Sequence, residues 1–145
     1  PLVLICAPDH ELAKRSTFSL AELHQYPYIC REEGSGTREV LLEALKAEGI
    51  DYRHLQVIME LGSPESIKGA VEAGMGVAIL SRSTVHKELR LGTLAALELE
   101  PQVSRPFSFV HQRQKFRLRA MEELMEFARD YCRAHADPAS MEEPK

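Results

Sequence analysis

The sequence predicts a single α/β domain with a mostly parallel sheet, and three observations support this prediction. Short apolar runs alternate with longer amphipathic segments along most of the chain, which is the pattern of βαβ units. Helix start and stop residues flank several of the amphipathic segments. The 145 residues are 44% hydrophobic and 28% charged, so the chain has the composition of a globular domain with its own hydrophobic core.

The first half of the chain predicts two strands and two helices. A buried strand is expected over Leu2–Ala7, where an apolar run ends at a proline. A capping box at Ser19 predicts a short helix that ends at about His24. The second strand is Tyr28–Arg31, and a helix over Thr37–Glu48 follows it. The residues predicted to be buried on that helix are Val40, Leu41, Ala44 and Leu45.

The middle of the chain continues the alternation. Strands are expected over Leu55–Leu61 and Gly76–Leu80, and the helix between them begins at Ser63-Pro64, an N-cap followed by proline at the first helical position. Another helix begins after Ser81 and runs to about Arg90. Glycines that provide left-handed stops mark the ends of three helices, namely Gly49, Gly74 and Gly92.

The last third of the chain predicts two strands, over Leu94–Leu99 and Phe107–His111, and a long helix over Arg117–Ala134. The chain after His135 is polar and contains prolines, so we expect it to be disordered. The stripe predicted to be buried on the long helix consists of Leu118, Met121, Leu124, Met125, Ala128 and Tyr131 or Cys132.

Two turns rich in small and hydroxyl residues follow predicted strands and open helices: Gly34-Ser35-Gly36-Thr37 and Gly62-Ser63-Pro64. Ligands of α/β sheets bind at such strand ends, where helix N-termini offer unpaired amides and a partial positive charge. The expected ligand is a small anion, with Arg31 and Arg38 adding positive charge that Glu32 and Glu33 partly offset. The alternative is that Ser35 and Ser63 are simply N-caps.

Motifs for catalysis and for metals do not occur in the sequence. The six histidines form no HExxH spacing, and there is no Gly-x-Ser-x-Gly elbow and no paired Cys and His. The first turn is not a Walker A loop, because it lacks the Gly-Lys-Ser/Thr ending, and it is not a dinucleotide fingerprint, because Glu39 occupies the third glycine position. The sequence therefore predicts no enzyme, no cofactor and no metal site.

Charge and cysteine content narrow the range of partners and locations. The net charge is −4, and the basic residues are scattered among acidic ones, so we expect no nucleic-acid contact by this chain itself. Three separated cysteines favour reduced thiols and a cytoplasmic location. The apolar runs are too short to span a bilayer. The start at Pro1 suggests a fragment of a longer protein.

The ordered motifs of the chain resemble the effector-binding, or substrate-binding, domain of LysR-type bacterial transcription regulators. The segments that carry the resemblance are Leu2–Ala13, Ser19–Leu23, Arg31–Arg38, Glu60–Lys68 and Ala70–Leu80, and their order and spacing hold over residues 1 to about 130. The resemblance implies a periplasmic-binding-protein-like (type 2) fold of two Rossmann-like subdomains with a ligand in the cleft between them. By position it implies that Ser35, Gly36, Thr37, Ser63 and Pro64 contact the ligand.

The resemblance also implies a division of the chain. Residues 1–134 correspond to the effector-binding domain, with 8–104 as its second subdomain, 1–7 and 105–134 as crossover or first-subdomain segments, and 135–145 as a disordered tail. Most of the first subdomain is then missing, so these residues supply half of the cleft. The long helix is left with an exposed apolar stripe that includes Leu118, Met121, Leu124 and Phe127. We expect this chain to pair with another copy, by domain swapping for instance, or to fold that helix onto its own sheet.

The partners implied by the resemblance are a small anionic effector, further copies of the protein, and DNA bound through a winged helix-turn-helix that lies outside this chain. The alternative function is a periplasmic solute-binding protein of a transport system, because that class shares the fold. Cysteine content and the Arg31–Arg38 and Glu60–Leu80 segments favour the regulator.

Overall fold

The computed structural model describes residues 1–105, 110 and 119–134. The chain divides into two compact units, residues 1–105 and 106–145.

The first unit is an α/β structure around a six-stranded sheet with the strand order β2-β6-β1-β5-β3-β4. Three strand pairs are parallel (β2 with β6, β3 with β4, and β3 with β5), whereas β1 runs antiparallel to β5 and β6. The predicted α/β fold with a mixed, mostly parallel sheet is therefore confirmed. The strands are Leu2–Cys6 (β1), Thr17–Ser19 (β2), Tyr28–Arg31 (β3), Val57–Leu61 (β4), Val77–Ser81 (β5) and Ala95–Glu100 (β6).

The helices of the first unit pack on both faces of this sheet. The α-helices are Gly36–Ala47 (α1), Pro64–Glu72 (α2) and His86–Leu91 (α3), and the 3₁₀ helices are Glu11–Lys14, Leu20–Gln25, Tyr52–His54 and Arg82–Val85. Alternate side chains of β1 point to opposite faces, so Leu4 belongs to the core with Leu41 of α1 and Ile5 to the core with Ile67 of α2. The two helices that follow β3 and β4 thus cover opposite faces of the sheet.

Local signals located the helix ends well. The glycines at 49, 74 and 92 have φ angles of +71°, +73° and +72°, which is the left-handed conformation expected just beyond a helix. On α1 the predicted stripe faces the core, with Leu41 and Leu45 each 1% exposed.

Several short elements differ from the prediction, among them the unpredicted 3₁₀ helices Glu11–Lys14 and Tyr52–His54. The strand β2 was not predicted, since it has only three residues, and it forms because Phe18 is fully buried. The capped segment after Ser19 is a 3₁₀ helix, Leu20–Gln25. The helix expected after Ser81 is a 3₁₀ turn, Arg82–Val85, that leads into the short α3.

The second unit contains the helix Arg119–Ala134 (α4). The prediction of a buried stripe on it is wrong for this chain, because no residue of α4 is buried and the side chains of Leu124 and Tyr131 are 64% and 55% exposed. The exposure of Leu124 and of Phe127, which is 67% exposed, agrees with the exposed apolar stripe that the resemblance implies. The described residues of this unit include no other element that covers the helix. Leu118, the predicted strand over Phe107–His111 apart from Val110, and the tail 135–145 lie outside the described residues.

Candidate functional site

Two turns lie side by side at one edge of the sheet. We call residues 34–37, which follow β3 and include the first two residues of α1, the α1 turn. Residues 62–64, which follow β4 and include the first residue of α2, are called the α2 turn. Since β3 and β4 are neighbouring parallel strands, with Arg31 opposite Leu61, both turns leave the sheet at the carboxyl ends of the strands. The two candidate segments that the sequence singled out are thus brought together by the fold.

The α1 turn presents a buried serine at the start of the helix. The turn is closed by the Ser35 amide, which donates to the Glu32 carbonyl at 3.2 Å. Ser35 is the N-cap residue, and its carbonyl accepts from the Glu39 amide at 3.0 Å. Its side chain, however, makes no capping hydrogen bond, although the residue is only 6% exposed. Ser35 therefore has the position of an N-cap while its hydroxyl remains uncommitted.

The α2 turn has the same arrangement. Ser63 is the N-cap of α2, Pro64 is the first helical residue, and the Ser63 carbonyl accepts from the Ile67 amide at 3.1 Å. The Ser63 hydroxyl makes no capping hydrogen bond either. Proline has no N–H to donate, so its contribution is the fixed start of the helix and the shape of the turn. The interpretation of both serines as simple side-chain caps is not supported.

Hydrogen-bond donors therefore accumulate at this edge. Within residues 1–105, 110 and 119–134, no hydrogen bond is formed by the side-chain hydroxyls of Ser35, Thr37 or Ser63. The amides of residues 36–38 belong to the first turn of α1, where no helical carbonyl precedes them to accept a hydrogen bond. These amides carry the positive end of the helix dipole. The combination can bind a small anion through backbone N–H groups and hydroxyls.

The two arginines expected to supply positive charge are already paired. Arg31 donates from Nε and Nη2 to the two carboxylate oxygens of Glu32 at 2.7 and 2.8 Å. This bidentate pair holds the pKa of Glu32 at about 2. Arg38 donates from Nη1 to Glu60 Oε2 at 2.7 Å and to the Arg31 carbonyl at 3.1 Å. Glu32 offsets the charge of Arg31, as the sequence led us to expect, whereas the partner of Arg38 is Glu60, which the sequence did not indicate.

Glu60 links the segments on either side of the α1 turn to the strand that leads into the α2 turn. It lies on β4, and in addition to the Arg38 bond its Oε1 accepts from the Glu33 amide at 3.4 Å. The Arg38 guanidinium also lies 5.6 Å from the ring centroid of Tyr52. These contacts tie the α1 turn to the strand that precedes the α2 turn, so Arg38 and Glu60 position the site rather than line it.

Arg105 is a residue at this edge that the sequence did not indicate. Its guanidinium lies against Gly36: a Cβ added to that glycine would fall within 2.6 Å of both terminal nitrogens. Arg105 comes after β6, far along the chain from the α1 turn, and no motif joins the two. Only the folded sheet brings them together.

The remaining candidate features lie elsewhere. Surface depressions of about 340 and 300 Å³ occur at the C-terminal end of α1 and beside His86 and Arg90 of α3. Neither depression includes the two turns. In the described parts of the chain no three His, Cys, Asp or Glu side chains are grouped to hold a metal ion. Nor is any described helix long and apolar enough to cross a membrane.

Comparison with known proteins gives a consistent result. Residues 1–133 match the family model described as the LysR substrate binding domain. The uncharacterized HTH-type transcriptional regulator YeiE of Escherichia coli K12 is 37% identical over 147 aligned residues, which cover 97% of this chain and 44% of the relative. The RuBisCO operon transcriptional regulator of Allochromatium vinosum is 36% identical, over 92% of this chain and 45% of its own length. The chain thus spans under half the length of these curated relatives, which are named as transcriptional regulators and not as transport proteins.

Solved structures agree with this result. The CcmR regulatory domain of Synechocystis PCC6803, solved in complex with 2-PG, has a TM-score of 0.72 and 27% identity, and the match covers 90% of this chain and 62% of that one. The effector-binding domain of QuiR, solved in complex with shikimate, shares the fold with a TM-score of 0.67 at 20% identity, covering 92% of this chain and 62% of that one. The chain belongs to the LysR substrate-binding domain family.

Proposed function

We propose that this chain is the ligand-sensing part of a LysR-type transcription regulator and that its effector is a small anion bound at the α1 and α2 turns. The observation that carries the proposal is the set of uncommitted hydroxyls on Ser35, Thr37 and Ser63 beside the free amides of a helix N-terminus. Serine at an N-cap ordinarily accepts a hydrogen bond from the helix. Here two successive N-cap serines leave that bond unmade, so donors and acceptors remain for a ligand.

The chemistry of this edge favours an anion. Each amide of the first helical turn is a donor, and together they carry about half a positive charge. Two of the nearby acids are held by partners, Glu32 by Arg31 and Glu60 by Arg38, whereas the exposed carboxylates of Glu33 and Glu39 have no ion pair among the described residues. An anion at the turns therefore meets donors without a competing free carboxylate from Glu32 or Glu60. The complex of the CcmR domain with 2-PG supports the same ligand class.

The other assignments follow the family and are part of the proposal. Residues 8–104 form the second subdomain of the effector domain, with 1–7 and 105–134 as crossover or first-subdomain segments. The effector closes a cleft between two subdomains and shifts a two-state oligomer toward one arrangement. DNA is contacted through a helix-turn-helix outside this chain, and the protein acts in the cytoplasm as a dimer or higher oligomer.

Calorimetry with a defined anion panel tests the site. The panel consists of sulfate, inorganic phosphate, 2-PG and shikimate at millimolar concentration, and the protein is expressed from its intact gene. Thr37→Ala and Ser63→Ala each remove one hydroxyl, and we expect each to weaken binding of the preferred anion about tenfold, because hydrogen bonds to charged groups contribute about 1.5–3 kcal/mol.

Ser16→Ala is the matched control, because Ser16 is an exposed serine just before β2 and belongs to neither turn. We expect this variant to bind like the wild type. If Thr37→Ala and Ser63→Ala also bind like the wild type, or if the wild type binds none of the four anions, the proposed site is wrong.

A further inference from the structure

We infer that Arg105 is the cation that pairs with the charged group of the effector, so that a full negative charge at the end of the ligand nearest α1 is required for binding. The inference rests on the proposed function, since it assumes that the ligand lies at the α1 turn. It adds a residue and a specificity rule that the two turns alone do not contain.

The position of Arg105 is the first argument. Its guanidinium lies over Gly36, the first residue of α1, close enough that an added Cβ would be 2.5 Å from Nη2 and 2.6 Å from Nη1. The side chain is exposed, so its donors are accessible to a ligand. Glycine at position 36 leaves the room that the guanidinium occupies. The planar fork of arginine donors is thus placed beside the free amides of the helix start.

The absence of an acidic partner is the second argument. Residues 1–105 contain seven arginines. Five of these have a carboxylate partner, namely Arg15, Arg31, Arg38, Arg53 and Arg82. Arg105 has none among the described residues. Among the described arginines beside the α1 turn, Arg31 and Arg38 are paired with Glu32 and Glu60, whereas Arg105 is available to a ligand.

The electrostatics of this contact give the third argument. A guanidinium beside the N-terminus of a helix faces the positive end of the dipole, an arrangement that is unfavourable by itself. An anion that contacts both the guanidinium and the amides at the helix start replaces this repulsion by attraction to each of them. Ser35 supports the same interpretation independently. The residue is only 6% exposed and its hydroxyl makes no hydrogen bond, but the hydroxyl oxygen still reaches the surface. A ligand oxygen beside Gly36 would accept hydrogen bonds from the Arg105 guanidinium, the first amides of α1 and the Ser35 hydroxyl.

The resulting specificity is for carboxylate, sulfate or phosphate. The parallel N–H groups of a guanidinium match two oxygens of such a group and form charge-assisted hydrogen bonds that are stronger than neutral ones. A neutral ligand would leave the Arg105 charge and the helix dipole uncompensated.

Three variants test the inference in the protein expressed from its intact gene. Arg105→Gln removes the charge, Arg105→Lys keeps it without the planar fork, and Arg90→Gln is a matched control that removes the same charge from an exposed position on α3. Calorimetry uses the panel anion that the wild type binds most tightly, at two salt concentrations. Thermal unfolding without any anion reports on the fold.

We expect Arg105→Gln to weaken binding at least about tenfold, Arg105→Lys to weaken it less, and Arg90→Gln to leave it unchanged. The salt dependence of binding falls in Arg105→Gln, because an exposed ion pair has been removed. Without anion, the unfolding temperature of Arg105→Gln is equal to or above that of the wild type, since the repulsion by the helix dipole is gone. A purely structural role predicts the opposite, a lower unfolding temperature.

The outcomes that overturn the inference are distinct from those that overturn the proposed function. If Thr37→Ala weakens anion binding while Arg105→Gln binds like the wild type, the site stands and the role of Arg105 is refuted. A loss of unfolding temperature without loss of affinity in Arg105→Gln refutes it as well. If neither variant changes the affinity, or the wild type binds no panel anion, the proposed function fails and this inference fails with it.

Discussion

Replacing Gly76 by alanine tests the packing that brings the strands of the site together. Gly76 immediately precedes β5, and a Cβ at this position would collide with the carbonyl oxygen of Pro27 and lie 3.1 Å from its carbonyl carbon. The obstacle is backbone, so no side-chain rotation relieves it. That carbonyl accepts a hydrogen bond from the Val77 amide at 2.8 Å, where the chain enters β3 and β5. Moving the strands apart to fit the methyl group therefore breaks or weakens this bond.

The expected cost follows from two contributions. Forcing a methyl group into a packed contact costs about 1–3 kcal/mol. Weakening one buried backbone hydrogen bond costs about 1 kcal/mol more. Together they lower the free energy of unfolding by about 2–4 kcal/mol, which corresponds to a fall of roughly 8 °C or more in the unfolding temperature of a unit of this size.

Gly69→Ala is the matched control, since Gly69 lies inside α2 with no atom within 4 Å of an added Cβ. Alanine has the higher helix propensity, so this variant gains up to about 1 kcal/mol. Urea and thermal unfolding, followed by circular dichroism, measure both variants against the wild type. If Gly76→Ala unfolds at the same urea concentration and temperature as the wild type, the close approach of the two strands at Pro27 is wrong.

Two further predictions concern buried charge and the thiols. Lys68 is 6% exposed and its Nζ donates to Glu88 Oε1 at 2.9 Å, a bond that holds the pKa of Glu88 below its ordinary value of 4.5. The pair stabilises the fold fully at pH values above 4.5, and this stabilisation is lost as the pH falls through the lowered pKa of Glu88. Lys68→Met is therefore expected to reduce the urea midpoint more at neutral than at acidic pH. Equal losses of the midpoint at both pH values would contradict this prediction. For the thiols, alkylation of the native protein followed by mass spectrometry is expected to find only Cys132 labelled, because Cys132 is exposed whereas Cys6 and Cys30 are buried. Burial, with Asp9 nearby, also raises the pKa of Cys6 to about 11, so little reactive thiolate forms there. Rapid labelling of either buried thiol would refute this prediction.

Local signals in the sequence sufficed for much of the fold. The Ser63-Pro64 start of α2 and its stop at Gly74 depend on a few consecutive residues, and both were predicted correctly. The glycine at 76, two residues later, carries a different requirement. It is needed because Pro27 approaches from another strand, and no local pattern indicates that contact.

The parts of the site that sequence reasoning missed all depend on residues that are distant along the chain. The turns at Ser35 and Ser63 were identified because hydroxyls before a helix are a local pattern. The neutralisation of Arg38 required the position of Glu60 on the neighbouring strand. The approach of Arg105 to the α1 turn required the whole sheet. Periodicity shows which side chains share a face, but not which charges meet across strands.

The exposure of α4 has a similar explanation. The apolar stripe that includes Leu124 and Phe127 was correctly read as amphipathic, yet its burial depends on what packs against it. The described residues of the second unit provide no such element. Pairing with another copy, which the sequence led us to expect, remains a prediction that native mass spectrometry of this chain can test.

A crystal structure of the protein with its preferred panel anion tests the central claim most directly. We predict density for the anion at the start of α1, within hydrogen-bond distance of the Ser35 hydroxyl and the amides of residues 36–38, with the Arg105 guanidinium on its other side. Density for the anion beside Arg90 and His86 on α3, with the two turns unoccupied, would contradict the claim that the helix starts after β3 and β4 form the effector site.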